Sequence, residues 1–226
     1  MVKKYTIEFE EVASPITTHV TKFGGQPVWL LEAQWPLSRS TDEPMQFICQ
    51  IALDTEIFGE VPGKIAYIFM TDNEDVDNTF DPNSGENTVV IQPGNFSELI
   101  KPLMTGPTLE SGDMSRRKVE FVVRLQSGED SDFENEADHF KRTNDLTVKE
   151  LEEEYEKMES MSDNKIGGTP QFLQRDEFPD ESGDWKLLLE LDSNTELFYV
   201  NFGDSGIGYA FINEQGTKGK FLWQCC

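Results

Sequence analysis

One stretch of this chain occurs twice, and it constrains the fold more than any other feature. Lys165-Ile166-Gly167-Gly168-Thr169-Pro170-Gln171-Phe172-Leu173 repeats the order of Lys22-Phe23-Gly24-Gly25-Gln26-Pro27-Val28-Trp29-Leu30, at an offset of 143 residues. Paired glycines let the backbone reach φ > 0 and approach other chain closely. The proline two residues on fixes φ and ends any ladder. Two further landmarks keep nearly the same spacing. Residues 47–51 align with 187–191 at an offset of 140, and Tyr67-Ile68-Phe69 with Tyr209-Ala210-Phe211 at 142. The pattern predicts an internal duplication, each unit made of a turn, a strand, a loop and a strand hairpin.

The remaining patterning is mostly of period two. Tyr5, Ile7 and Phe9 alternate with Thr6, Glu8 and Glu10, which predicts a half-buried strand over 5–12 at a sheet edge. A short strand is expected at 17–20, interior strands at 45–53 and 185–192, and further strands at 65–70, 88–92, 118–125 and 220–224. Residues 197–202 and 207–212 read as a hairpin across Gly203-Asp204-Ser205-Gly206. Residues 71–88 read as a loop and 93–115 as irregular chain; the sequon Asn95-Phe96-Ser97 carries no weight without a secretory context.

Residues 129–163 differ in composition, with 14 acids against 4 bases. Thr147 and Glu150 form a capping box there. Leu151, Tyr155 and Met158 follow at i, i+4 and i+7, a narrow apolar stripe on a charged helix. The fold class is therefore mainly β (α+β): internally duplicated, roll-like sheets with one or two helices, including an acidic amphipathic helix near 147–161. The expected organisation is a single compact domain over 1–226, with a first half at 1–128, an acidic connector at 129–163 and a second half at 164–226.

Net charge is −24, from 19 basic and 43 acidic residues. Phosphate backbones and anionic membrane surfaces both attract Lys/Arg-rich faces, so nucleic acid and membrane are excluded as partners. What remains is solubility or a basic protein partner. The N-terminus lacks an apolar h-region, and no run approaches the ~18 apolar residues that span a bilayer. Cys49 sits in an apolar run, and the neighbours Cys225 and Cys226 lie too close in the chain to bridge each other. Free thiols point to a reducing compartment, hence a cytoplasmic location.

No catalytic constellation emerges. Gly203-Asp204-Ser205-Gly206 matches the nucleophile turn of trypsin-like proteases, but only His19 and His139 exist as bases and Ile207 stands where glycine is expected. Two histidines and three scattered cysteines do not make a zinc site. Asp72, Glu74, Asp75, Asp77 and Asp81 lack the glycine and the terminal glutamate of a calcium loop, so they read as a solvated acidic loop. No metal or cofactor is expected. The glycine turns offer free N–H groups beside a lysine, which makes Lys22, Gly24, Gly25, Lys165, Gly167 and Gly168 candidate ligands for an anion. A phosphate loop opens a helix, whereas proline and strand-like residues follow here, so packing is the favoured role of these turns. Glu152, Glu153 and Glu156, on the solvated side of the helix, are candidate partner contacts.

Taken together, Lys165-Ile166-Gly167-Gly168-Thr169-Pro170, Leu187-Leu188-Leu189-Glu190-Leu191-Asp192-Ser193, Gly203-Asp204-Ser205-Gly206-Ile207-Gly208-Tyr209-Ala210-Phe211-Ile212 and Trp223-Gln224-Cys225-Cys226 resemble the YwqG-like family, bacterial proteins of unknown function. The resemblance covers both halves. It implies a duplicated, mainly β, roll-like fold and carries over no activity. Glu190 stands where that family usually has glutamine. The expectation for function is a non-enzymatic interaction protein with an acidic surface for a basic partner, an immunity-like role being one instance. The alternative is a binder of a small anionic ligand, or an enzyme, acting at the groove between the two Lys-x-Gly-Gly turns.

Overall fold

The structure is a computed structural model that describes residues 1–94, 99–144, 146–159, 164–180 and 185–226. The sequon at Asn95 and the side chains of Tyr155 and Met158, two of the three stripe residues, lie outside that description. In chain order the elements are β1 (Val2–Glu11), β2 (Lys22–Gly24), β3 (Trp35–Pro36), β4 (Gln46–Ala52), α1 (Thr55–Phe58), β5 (Ile65–Met70), β6 (Asn87–Gln92), β7 (Ile100–Lys101), β8 (Glu120–Asp130), α2 (Glu136–Thr143), α3 (Val148–Glu159), β9 (Lys165–Gly167), β10 (Trp185–Asp192), β11 (Ile207–Asn213) and β12 (Gly219–Gln224).

Ten strands form one antiparallel sheet in the order β12-β11-β10-β9-β1-β8-β2-β4-β5-β6, and β3 pairs with β7 beside it. The middle of the sheet is the long β1–β8 pair, in register from Val2 opposite Asp130 to Glu11 opposite Phe121. On the other side of β1, Lys4 lies opposite Gly167 of β9. On the other side of β8, Glu120 lies opposite Gly24 of β2. The two short Lys-x-Gly strands thus flank the central pair symmetrically.

Several expectations need correcting. β1 is not an edge strand; its alternation reflects one wet face, while both of its backbone sides are paired. β8 does not stop near 125 but runs to Asp130, because β1 supplies a ladder even where the side chains are polar. Cross-strand contacts such as Arg124–Glu10 and Gln126–Glu8 line that exposed face. Residues 17–20 form no strand; 18–20 are bends. Residues 197–202 make no hairpin: Tyr199 makes one isolated bridge to Glu110, and β11 pairs with β10 and β12. Two helices carried no clear sequence signal, α1 and α2. Asn135 caps α2 by accepting from the Asp138 N–H at 3.0 Å. At the start of α3 the expected box closes: Thr147 donates from its N–H to Glu150 at 2.8 Å, and the Glu150 N–H donates back at 3.4 Å.

The edge strands β6 and β12 come side by side with no ladder between them, so the sheet is nearly closed. Small residues permit the approach. A Cβ on Gly219 of β12 would stand 2.5 Å from Cγ1 of Val89 on β6. Lys220 bridges the seam, its Nζ donating to the Pro82 carbonyl and to Asn83 Oδ1, each at 2.8 Å.

The main core fills the enclosed face, where Phe23, Phe121 and Phe198 pack with Phe9, Ile48 and Leu189. Each half adds an outer layer. In the first half it is Trp29, Trp35, Phe47, Tyr67 and Phe69; in the second, Leu187, Tyr209, Phe211 and Leu222 with Phe172 and Phe178. Strands covered on both faces read as continuous apolar runs, which is why β4, β5 and β11 stood out in the sequence. Among the described residues no helix is long and apolar enough to cross a membrane.

Candidate functional site

The two glycine turns are held by the same set of contacts. After the first, the Val28 N–H donates to Gln50 Oε1 at 2.8 Å; after the second, the Gln171 N–H donates to Glu190 Oε2 at 2.9 Å. The Tyr67 hydroxyl accepts from the Leu30 N–H and donates to the Val28 carbonyl, at 2.8 and 2.9 Å. The Tyr209 hydroxyl does the same for Leu173 and Gln171, at 3.0 and 2.7 Å. Gln92 clasps the backbone of Leu31 and Glu32, as Gln224 clasps that of Gln174 and Arg175. These buried side chains satisfy backbone groups that leave the ladder at each proline. Sequence reasoning missed them. The available signal was a single Gln, Glu or Tyr inside an otherwise apolar strand.

The lysines of the motif point inward. Lys22 is fully buried, donates to the Gln26 carbonyl at 2.6 Å and pairs with Glu120. Burial pushes its ammonium down, against the pull of Glu120. Lys165 is also fully buried and donates to the Thr169 carbonyl at 2.7 Å. Its carboxylates are Asp130 at 3.0 Å and Glu190 at 3.5 Å, and Lys4 reaches Asp130 at 2.9 Å. The second turn therefore encloses two ammonium groups and two carboxylates, where the first encloses one of each. That accounts for Glu190 standing where the first half has Gln50. Burial pushes Glu190 up to about 7, despite Lys165 beside it. Asp130, also pushed up by burial, is held below its ordinary value by Lys4, the Thr169 N–H and Lys165.

Gly24, Gly25, Gly167 and Gly168 all have φ between 62° and 77°. A Cβ on Gly25 would collide with the Glu120 carboxylate, and one on Gly168 with that of Asp130. In each turn the second glycine leaves room for the carboxylate that meets a lysine.

Both turns reach the surface: Gly25 and Gln26 help to line an open cleft of about 520 Å³ with Pro15, Arg117, Lys118 and Glu120. Gly167 and Gly168 help to line an open cleft of about 660 Å³ walled by Ile57, Phe133, Phe178, Trp185 and Leu187. Lys3, paired with Glu56, and Lys186 stand at this cleft. Across Phe133, Thr169 and Pro170 lies a second cleft of about 210 Å³. Five carboxylates line it, from Asp132, Glu134, Glu136, Glu154 and Asp176, with His139 and one guanidinium, Arg142. Arg142 holds α2 against α3, donating to Glu134 at 2.8 Å and to Glu154 at 2.6 Å. Asp176 ties the start of α2 to the body by accepting from the Glu136 N–H at 2.8 Å. The candidate contacts Glu152, Glu153 and Glu156 lie exposed on α3, Glu153 pairing with Lys149 across the surface at 3.3 Å. The structure thus brings Gly25 to one cleft and Gly167 and Gly168 to another, and leaves Lys22 and Lys165 buried behind the turns.

Comparison with known families gives one result. A family model described as a domain of unknown function, DUF1963, matches residues 21–221. The chain belongs to that family. No curated protein matches it. The DUF1963 match takes in both glycine turns, all of the Gln–Tyr contacts except those made by Gln224, and the α2–α3 arm. Strand β1, which supplies Lys4, precedes it. In this DUF1963 chain the residues of the matched region that reach the clefts include Phe133, Glu136, Gly167, Gly168, Asp176 and Trp185.

Proposed function

We propose that this protein is a binding module for a basic peptide segment of a partner protein, which it holds in the composite groove beside the second glycine turn. The observation that carries this reading is the contiguity of an apolar cleft with an acidic one across Phe133, Thr169 and Pro170. An aromatic or aliphatic side chain of the partner enters the apolar cleft, where burial supplies affinity. Flanking Lys or Arg residues meet the five carboxylates, which set orientation and association rate. Glu152, Glu153 and Glu156 extend the same negative field along α3.

An anionic ligand held directly by the two motif lysines is the weaker reading, since both ammonium groups are buried against carbonyl and carboxylate oxygens. The recurring Gln/Glu and Tyr contacts support a further part of the proposal, that the two halves descend from an internal duplication within one domain. The likeness to the YwqG-like family belongs to this reading too. So does a cytoplasmic location, for which the three unbridged thiols are the support.

Fluorescence anisotropy tests the binding reading. A labelled peptide with one Trp flanked by four Lys or Arg should bind, and affinity should fall steeply with added salt. Replacing its Trp by Ser, or Phe133 of the protein by Ser, should each weaken binding about tenfold, the worth of roughly 1.4 kcal/mol. Neutralising Glu152, Glu153 and Glu156 to Gln should slow association. Binding that ignores salt and both apolar replacements would overturn the proposal.

A further inference from the structure

We propose that the seam between β6 and β12 holds a second binding site, one for a small oxyanion carrying phosphate or carboxylate groups. An open cavity of about 280 Å³ lies there, lined among others by Arg39, Asn83, Asn87, Thr88, Gly219 and Lys220. Two cations and three neutral polar side chains reach it, and among the described residues no carboxylate lines it. That is a notable local inversion in a chain with 43 acidic and 19 basic residues.

The cations are fixed by the turn that closes the loop before β6. The Arg39 guanidinium lies on Gly85, whose φ is +87°; a Cβ there would come within 2.7 Å of Arg39 Nε. Lys220 donates to Pro82 O and Asn83 Oδ1, which uses two of its three protons and leaves one. Neither cation is ion-paired with a carboxylate among the described residues. The charged groups acting on Lys220 are Asp81 and Asp180, which pull it up, and Arg39 and Lys218, which push it down; burial is the largest influence and also pushes it down. An anion seated between Arg39 and Lys220 offsets the desolvation of the Lys220 ammonium and the repulsion between the two cations. The planar guanidinium offers paired donors suited to two oxygens of one group, and the ammonium offers a single point contact.

The location gives the site a structural consequence. Asn87 and Thr88 belong to β6, and Gly219 and Lys220 to β12, the two sheet edges that meet without a ladder. A bound oxyanion ties those edges together, so occupancy stabilises the closed sheet. Isothermal titration and thermal melts with sodium phosphate and with sodium citrate, each against sodium chloride at equal ionic strength, test this. At least one of the two anions should bind saturably and raise Tm above the chloride control; which one does distinguishes a phosphate site from a carboxylate site. Arg39→Gln and Lys220→Gln should each weaken binding tenfold or more, while Lys118→Gln on another face should not. Should Lys220→Gln fail to fold, Arg39→Gln decides, because that side chain is exposed. Equal behaviour of phosphate, citrate and chloride, or wild-type binding by Arg39→Gln, overturns the proposal.

Discussion

Replacing Glu190 by glutamine should make the protein more stable at pH 8 and nearly unchanged at pH 5. Glu190 is 2 % exposed, and its carboxyl titrates near 7 in the folded chain against an ordinary value of 4.5. The sign follows from linkage. Between those two values the unfolded chain gives up the proton while the folded chain keeps it, so stability falls as pH rises through that window and is flat above it. A gap of this size corresponds to roughly 3 kcal/mol in full, of which roughly 2–3 kcal/mol falls between pH 5 and pH 8. Glutamine has the shape of the protonated acid, and its oxygen can accept from the Gln171 N–H as Gln50 does from Val28. Asp130 and Glu86 are held below their ordinary values, so their contributions are lost only in acid and do not enter this window. For a chain of this length the wild type should therefore lose roughly 5–10 °C of Tm from pH 5 to pH 8 through this group. Urea titrations at pH 5, 6, 7 and 8 on both proteins measure the difference. If the pairing with Lys165 outweighs burial, the wild type will gain stability with pH and Glu190→Gln will be the weaker protein at pH 8. That result would refute the reasoning.

Other outcomes are equally specific. Tyr67→Phe and Tyr209→Phe each strand a buried N–H and a carbonyl, so each should cost about 1–3 kcal/mol in urea unfolding, and by similar amounts if the two turns are equivalent. Lys22→Met leaves Glu120 without its buried partner and should cost about 3–5 kcal/mol, whereas Lys22→Met combined with Glu120→Gln should recover part of that in a double-mutant cycle. Gly168→Ala drives a methyl into the Asp130 carboxylate at positive φ and should destabilise more than Gly59→Ala, where φ is also positive but the space is open; thermal melts rank the two.

Much of the fold was legible because period-two alternation and continuous apolar runs are local signals. β4, β5, β6, β10 and β12 came within a residue or two of their observed spans. The far end of β8 is not legible in sequence, because Gln126 to Glu129 look like loop and only the partner strand β1 makes them strand. A wet face does not mark β1 as an edge strand, because side-chain exposure and backbone pairing are independent. The turn glycines marked the architecture correctly as places of positive φ, but sequence could not say which way the lysines faced. The groove was illegible altogether. Phe133, Gly167, Asp176 and Trp185 are scattered along the chain and meet only once β1, β9 and β10 are side by side.

The central claim is that the composite groove at Phe133, Gly167 and Trp185 binds a basic, apolar-anchored peptide. Amide NMR on labelled protein, titrated with a Trp-containing lysine-rich peptide, tests it most directly. The account predicts saturable shifts concentrated at residues 131–139, 167–176 and 185–187, absent when the Trp of the peptide is replaced by Ser. Shifts spread evenly over the acidic surface, or concentrated away from these residues, would contradict it.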